Sequence, residues 1–413
     1  MVRVMHFADT HFGVEAYGRL DPQTGLNTRL QDFKRSLLDA VDTALASGID
    51  LALFAGDAYK TRDPRQTDQR EFADCIRRIT DSGVPVAMLT GNHDLPSVQG
   101  RANAVEIYRT LGVTNVHVFN QPGLHLIETP AGRVRIAAMP YLLRGLYGRE
   151  SSAGKTPDER RLALEERYVS EIEALARGVM EDGDDVPTVL LGHFWVRGAR
   201  LSNWQEGYLD TQEPQVPLSC LKNAAFDYVA LGHIHRHQDL NRRGAPPVVY
   251  CGSTDRIDFG EKDEPKGFVI AQLSRGEAAY RFVETKLPRP LLDIDVDADC
   301  DAPTERILEE IKRHSLRGAI VRLTYHVSHE RAALVREREI HSALEPAFHT
   351  VALIRKVRRD ANVRNSRLTE ALAPREALEI YIDASERMKP RKELLLRCAE
   401  PLFQELRERE ESV

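Results

Sequence analysis

Cysteine is scarce in this 413-residue chain: there are five, at Cys75, Cys220, Cys251, Cys300 and Cys398. Their odd number and wide spacing exclude the close pairing that a zinc knuckle or a disulfide framework needs, so they read as reduced packing residues. Long apolar runs are missing as well. No stretch approaches the roughly 20 residues that cross a bilayer, so no membrane span is expected. The start, Met1 to Phe7, lacks the basic, apolar, small-residue order of a signal peptide and runs straight into a strand-like segment; the expected location is the cytoplasm. An overall excess of positive charge is also absent, since 57 Lys and Arg against 63 Asp and Glu give a net charge of -6. A uniformly basic surface is thereby excluded, while local patches, which decide nucleic-acid contact, stay open.

What is present is length and alternation. The chain is longer than one hydrophobic core usually organises, so two or three domains are expected. Val2 to Phe7, Leu51 to Ala55, Val84 to Leu89, Val189 to Leu191 and Tyr228 to Leu231 read as buried strands. Amphipathic stretches with helical spacing, Asp32 to Ala46 and Gln69 to Ile79, lie between the early ones, which predicts a layered α/β domain of sheets covered by helices. Around Pro288 to Pro290 the pattern changes. Strands Leu291 to Val296, Ala319 to Val327 and Val351 to Val357, with helices near Thr304 to His314 and His329 to Leu344, predict a small α+β unit. Beyond Asp360 come a loop-like stretch and two amphipathic segments, Arg375 to Met388 and Arg391 to Glu410, split near Pro390. The expected division is 1–287, 288–360 and 361–413.

Each early strand ends in a polar cluster. Asp9 and His11 follow the first, Asp57 the second, Asn92 with His93 and Asp94 the third; His193 follows the fourth, and His233 with His235 the fifth. In open α/β sheets ligands sit beyond the carboxyl ends of strands, so five clusters from distant segments can converge on one site. Singly, a strand-end Asp such as Asp9 serves equally well as a helix cap. Jointly, five of the fourteen histidines would have to fall at these positions by accident. Oxygen and imidazole donors on rigid strand ends suit a pair of divalent cations, and a carboxylate bridges two cations where a neutral imidazole does not, which points to Asp57 as the shared ligand. Glycines beside four clusters allow tight turns or close backbone approach.

The ordered set Asp9-x-His11, Gly56-Asp57, Gly91-Asn92-His93-Asp94, Gly192-His193 and Gly232-His233-x-His235 resembles that of the calcineurin-like metallophosphoesterases. The resemblance implies an α/β fold, a layered α/β/β/α sandwich, with one metal held by Asp9, His11, Asp57 and His235 and a second by Asp57, Asn92, His193 and His233. It implies further that His93 contacts the phosphate or protonates the leaving oxygen, with Asp94 orienting it. The donor set suits Mn2+, with iron or zinc as alternatives. Gly56-Asp57-Ala58-Tyr59-Lys60 does not match the GDxVDRG sequence of Ser/Thr protein phosphatases, and Asp94 stands where those enzymes have Glu.

In the C-terminal half, Arg289-Pro290-Leu291-Leu292, Gly318 to Arg322 and Glu376-Ala377-Leu378 resemble SbcD-type DNA nucleases. That resemblance implies a nuclease domain, a capping domain that shapes DNA access, and a helical tail docking on an SbcC-type coiled-coil ATPase through Leu394, Leu395, Leu402, Phe403 and Leu406. A homodimer is also implied, with Gln69 to Ile79 and Val98 to Leu111 as candidate helices, although their apolar residues would serve equally to cover their own sheet. Several such proteins carry a histidine where this chain has Lys60. A lysine holds a phosphate but, with an ordinary pKa near ~10.4, shuttles protons poorly at neutral pH, so exonuclease and endonuclease action both stay open.

Other candidate DNA contacts are Arg197, with Arg200, Trp195 and Trp204 after the fourth motif; Ser253 in a glycine-serine turn near the substrate channel of SbcD proteins; and the basic run Arg355, Lys356, Arg358, Arg359, Arg364 and Arg367. The bland readings are buried tryptophan, an ordinary turn and a solvated face. His6 is assigned to packing, and His237 to a surface or supporting position. Three functions are carried forward: a metal-dependent DNA nuclease in double-strand-break repair, a small-nucleotide phosphodiesterase or phosphatase, and a non-catalytic DNA-end scaffold.

Overall fold

Strands β1 (Val2–Phe7), β2 (Leu51–Phe54) and β3 (Val86–Leu89) are apolar on both faces because both faces are covered. Successive strand residues point to opposite sides. Met5, Phe7, Ala52, Phe54, Val86 and Met88 therefore pack with helices α1 (Thr28–Ala46) and α2 (Gln66–Thr80). Val2, Val4, Leu51, Leu53, Ala87 and Leu89 pack against a second sheet. In this computed structural model residues 1–96, 101–142, 156–208, 213–242, 244–358, 373–383 and 388–410 are described.

The remaining strands are β4 (Val116–Phe119), β5 (Gly123–Thr129), β6 (Gly132–Met139), β7 (Thr188–His193), β8 (Trp195–Val196), β9 (Gln215–Val216), β10 (Tyr228–Gly232), β11 (Gln238–Asp239), β12 (Val248–Tyr250), β13 (Gly267–Ser274), β14 (Glu277–Glu284), β15 (Leu291–Asp297), β16 (Ile320–Ser328) and β17 (His349–Arg358). One six-stranded sheet runs β14-β13-β1-β2-β3-β4 and the other β11-β12-β10-β7-β6-β5. The motif-bearing strands run parallel to one another within each sheet, β1 to β2 to β3 and β7 to β10, so within each sheet their carboxyl ends share an edge. The outer face of the second sheet is covered by the helix Pro157–Asp182 through Leu164, Tyr168, Ile172, Leu175, Ala176 and Val179. The order is helix, sheet, sheet, helix, the expected four layers. That long helix was legible in sequence but not anticipated: Thr156 and Glu159 form a reciprocal capping box, Pro157 opens the first turn and Gly183 closes the helix at φ 65°.

The chain divides into two compact units, one of Met1–Asp293 with Leu316–Arg322 and Pro346–Val351, the other of Ile294–Ser315 with Leu323–Glu345 and Ala352–Val413. Strands β15, β16 and β17 form a three-stranded sheet with β16 central. In the second unit helices Pro303–Lys312 and Glu337–Leu344 bury Ile307, Ile311, Ile340 and Leu344. The stretch read as one helix from His329 is instead a short 3-10 turn, Ala332–Leu334, followed by Glu337–Leu344. Helices Pro374–Asp383 and Lys392–Glu410 follow, joined by Arg375–Glu400 and Lys392–Asp383 ion pairs at 2.9 and 2.6 Å. No helix among the described residues is long and apolar enough to cross a membrane.

Helix α2 spends Phe72, Cys75, Ile76 and Ile79 on its own sheet. Of the second dimer candidate, Val98 to Gly100 lie outside the described residues, as do Arg359, Arg364, Arg367 and the side chains of Trp204 and Leu406.

Candidate metal centre

The carboxyl ends of the two sheets meet, and four of the polar residues there take the left-handed backbone region: Asp9 at φ 52°, His11 at 41°, Asp57 at 61° and His233 at 91°. Such angles are unfavourable for residues with a Cβ and are held only where surrounding contacts over-determine them. The glycines have a matching reason. A Cβ on Gly91 would lie 2.2 Å from Asp57 Oδ1, on Gly56 2.5 Å from His193 Nδ1, and on Gly232 2.3 Å from the Ala55 carbonyl. At these three positions a side chain would occupy space that ligand groups or their supports require.

The sheets are tied together at the site. The His233 N–H donates to both Asp9 carboxylate oxygens at 3.0 Å, and His193 Nδ1 donates to the Ala55 carbonyl at 2.6 Å. His6, expected to be packing, also bridges the sheets, with Nδ1 3.0 Å from Tyr228 Oη and Nε2 3.2 Å from the Leu231 carbonyl. His237 has a supporting place, bonded through Nδ1 to the Tyr250 carbonyl at 2.8 Å and stacked on Phe282.

Tautomers follow from the outer partners. His11 Nδ1 faces the Tyr59 carbonyl at 3.3 Å and His235 Nδ1 faces Glu261 Oε1 at 2.8 Å, so both rings donate outward. Their Nε2 lone pairs then face each other at 3.0 Å. Two lone pairs at that separation repel unless a proton or a metal ion lies between them. Similarly, His193 Nε2 and His233 Nδ1 each lie 3.1 Å from Asn92 Oδ1, and Asp57 Oδ2 stands 3.5 Å from His193 Nε2 and 3.8 Å from His11 Nε2. Asp9 groups with His11 and His235 on one side and with Asp57 and His193 on the other. The donor set fits divalent metal, and all seven expected ligands, Asp9, His11, Asp57, Asn92, His193, His233 and His235, converge, with Asp57 central.

The electrostatics of the protein groups agree. Burial opposes charge on His193, but Asp57 beside it overrides this and drives the imidazole up to about 9. Burial likewise opposes the charge on Asp57, yet the surrounding His193, His93 and His11 hold its carboxyl well below the usual range. Burial, with His235 adjacent, pushes His11 well down, and burial raises Asp9.

His93 sits against this cluster, grouped with His11 and Asp57. Its backbone N–H donates to Asp57 Oδ1 at 2.8 Å, and its ring Nδ1 donates to the Lys60 carbonyl at 2.8 Å, which leaves Nε2 as the atom for chemistry. Asp94, expected to orient His93, does something else. Its carboxylate accepts from the backbone N–H groups of Asp57, Ala58 and Gly91 at 2.8, 2.9 and 2.9 Å and staples the second motif loop to the third. The Lys60 carbonyl holds the histidine ring instead.

Ser253 also departs from the expected substrate contact. It is fully buried, its hydroxyl donates to the Asp255 carbonyl at 2.9 Å and its N–H to the His235 carbonyl at 3.1 Å, so it supports the fifth motif rather than meeting substrate. Trp195 is half-buried against the second sheet's outer core. Arg197 is exposed, 3.4 Å from Glu165, and Arg200 is exposed. Lys60 is half-buried, and burial draws its ammonium below the usual lysine range. Arg355 and Arg358 lie in the second unit, 4.0 Å from Glu337 and 2.9 Å from Asp297, which partly answers their charge. Two residues were missed. Glu261 meets His235, and Glu213 Oε1 lies 3.1 Å from His233 Nε2; neither sits in a motif, and no local signal marks them.

A family model described as calcineurin-like phosphoesterase matches residues 2–237. Among curated relatives, the DNA double-strand break repair protein Mre11 of Thermoplasma acidophilum is 24% identical over 302 residues, 71% of this chain and 68% of that protein. The Mre11 of Haloferax volcanii is 26% identical over 325 residues, 78% of this chain and 60% of that one. The SbcD component of the SbcCD nuclease of Bacillus subtilis is 25% identical over 299 residues, 70% and 71% of the two chains. This chain thus spans between 60% and 71% of the length of these three relatives.

Proposed function

The chain belongs to the calcineurin-like phosphoesterase family, and from that premise we propose that it is a two-metal DNA nuclease acting in double-strand-break repair with an SbcC-type coiled-coil ATPase. The carrying observation is the pair of facing imidazole lone pairs, His11 Nε2 and His235 Nε2 at 3.0 Å, beside the shared carboxylate of Asp57. The names of the relatives above supply the substrate class. Asp9, His11, Asp57 and His235 would hold one cation and Asp57, Asn92, His193 and His233 the other, with Mn2+ the metal their mixed donors suit. When bound, such a pair supplies Lewis acidity and a water-derived nucleophile at neutral pH. In this reading His93 binds a phosphate oxygen or passes a proton to the departing sugar oxygen through Nε2, its ring held by the Lys60 carbonyl. No protein nucleophile is required.

The Lys60 ammonium, Arg197 and the second-unit Arg355 and Arg358 are assigned to the DNA backbone in the same reading. The division at 287 and 360 assigns capping to the middle segment and partner docking to the tail, where Leu394 and Leu402 are 55% and 60% exposed. Self-association would use the exposed Ile107 and Leu111.

The test is Mn2+-dependent cleavage of end-labelled duplex and hairpin DNA by the purified chain, with and without an SbcC-type partner, beside Asp57→Ala and His93→Ala. Activity lost in both variants supports the proposal. Inactivity on every DNA, with rapid turnover of a small phosphodiester, would replace it by the nucleotide-phosphodiesterase reading.

A further inference from the structure

The sequence motifs account for the groups that face the cations but not for what fixes the outer side of each ring. Glu261 is fully buried at the end of a 3-10 turn, Phe259–Glu261, which starts with the Asp258 carboxylate accepting from the Gly260 N–H at 2.9 Å. Its Oε1 accepts from His235 Nδ1 at 2.8 Å. Its Oε2 accepts from the Ile257 N–H at 2.9 Å and from the buried Lys266 Nζ at 3.1 Å. Lys266 Nζ in turn donates to the His235 carbonyl at 3.1 Å. His235 is therefore gripped twice by one buried ion pair, at its ring and at its backbone.

From these contacts we infer that Glu261 is a positioning residue for metal binding, which fixes His235 as its Nδ1–H tautomer and aims the Nε2 lone pair at the cation shared with His11, Asp9 and Asp57. A carboxylate behind a ligating imidazole locks the ring's rotation and raises the donor strength of the far nitrogen, and losing such a partner typically weakens metal affinity about 10–100-fold. The buried Lys266 balances the carboxylate, so that Glu261 stays an acceptor for Nδ1–H in an apolar surround. The inference rests on the two-cation reading given above. It adds that the two cation positions differ: the one served by His235 depends on Glu261, and the one served by His193, His233 and Asn92 does not.

Calorimetric titration of MnCl2 into the metal-free full chain separates these claims. Wild type should take two equivalents. Glu261→Gln keeps a neutral acceptor of the same size, and Glu261→Gln/Lys266→Met also removes the ammonium, which in the single variant keeps Glu264 at 3.1 Å as a partner; thermal melts in EDTA report whether each variant keeps its metal-free stability. In both variants one equivalent should weaken about 10–100-fold while the other holds its wild-type affinity. The role of Glu261 is overturned if both variants bind both equivalents as wild type does, if the weakening disappears in the double variant, or if both equivalents weaken together with a fall in metal-free stability. A wild-type chain that fails to take two equivalents would overturn the two-cation reading along with it.

Discussion

Asp94→Ala should be a stability mutation first and a catalytic one second. The carboxylate is fully buried and accepts three backbone N–H groups, those of Asp57, Ala58 and Gly91, at 2.8, 2.9 and 2.9 Å. Burial, with Asp57 beside it, pushes this carboxyl up to about 7, so it is a charged acceptor only above that pH, for example at pH 8; there hydrogen bonds to it are worth about 1.5–3 kcal/mol each, and removing the acceptor leaves three donors buried without a partner. Three bonds on one carboxylate do not add independently, so the expected loss is about 4 kcal/mol, in the range reserved for breaking a buried network. Urea unfolding of the metal-free chain, followed by circular dichroism, reads this as a fall in the midpoint at unchanged slope. His93→Ala on the same assay should stay close to wild type, since its Nδ1 contact is a single bond at a half-buried ring. If Asp94→Ala unfolds within about 1 kcal/mol of wild type yet loses catalysis as His93→Ala does, the stapling role is wrong and Asp94 acts through the histidine.

His93→Ala should lower metal-dependent phosphodiester cleavage by about 10²–10⁴-fold, the usual worth of a positioned acid or base, while metal content measured by plasma emission stays at the wild-type value; a fall in metal content would recast His93 as a ligand. Metal loading should release protons at pH 7.5, because Asp57 holds the metal-free His193 up at about 9 and a ligating imidazole must be neutral. The release should fade as the pH rises past that value. Binding enthalpies that are the same in buffers of different ionisation heat would contradict it. Gly91→Ala places a Cβ 2.2 Å from Asp57 Oδ1 and should abolish Mn2+ uptake in calorimetry, and uptake at wild-type affinity would show that the turn has room to move. Ser253→Ala should cost about 1 kcal/mol for its buried hydroxyl bond with DNA affinity unchanged; a selective loss of DNA binding in a salt titration would restore the substrate-contact expectation.

The strands that carry the site were legible because they are short, continuous apolar runs covered on both faces, and β1 is found where the apolar pattern placed it, Val2–Phe7. Helices α1 and α2 begin four and three residues before their amphipathic stretches; the start of α1 is set by Asn27, whose side chain accepts from the Arg29 N–H and caps a first turn that already buries Leu30. The helix read from His329 was not continuous, because Ala332–Leu334 and Glu337–Leu344 are separated by extended backbone at Val335. Strands β5 and β14 went unread because each has an exposed face and mixed polarity, which dilutes the apolar signal.

By itself the sequence determined which residues could bind cations and where they stand along the chain: a carboxylate, amide or imidazole at the end of each of five buried strands, with glycine where no side chain fits. Parallel strands deliver their ends to one edge, so convergence follows from local pattern and topology. Partner choice does not, because it is made across separations the pattern cannot see. Asp94 finds three N–H groups instead of an imidazole, Ser253 turns inward to Asp255, and His235 is backed by Glu261, 26 residues away, while Asp9 meets His233 across 224. Only the tertiary structure decides these, because a buried polar atom must take whichever partner the packed backbone leaves within hydrogen-bond reach.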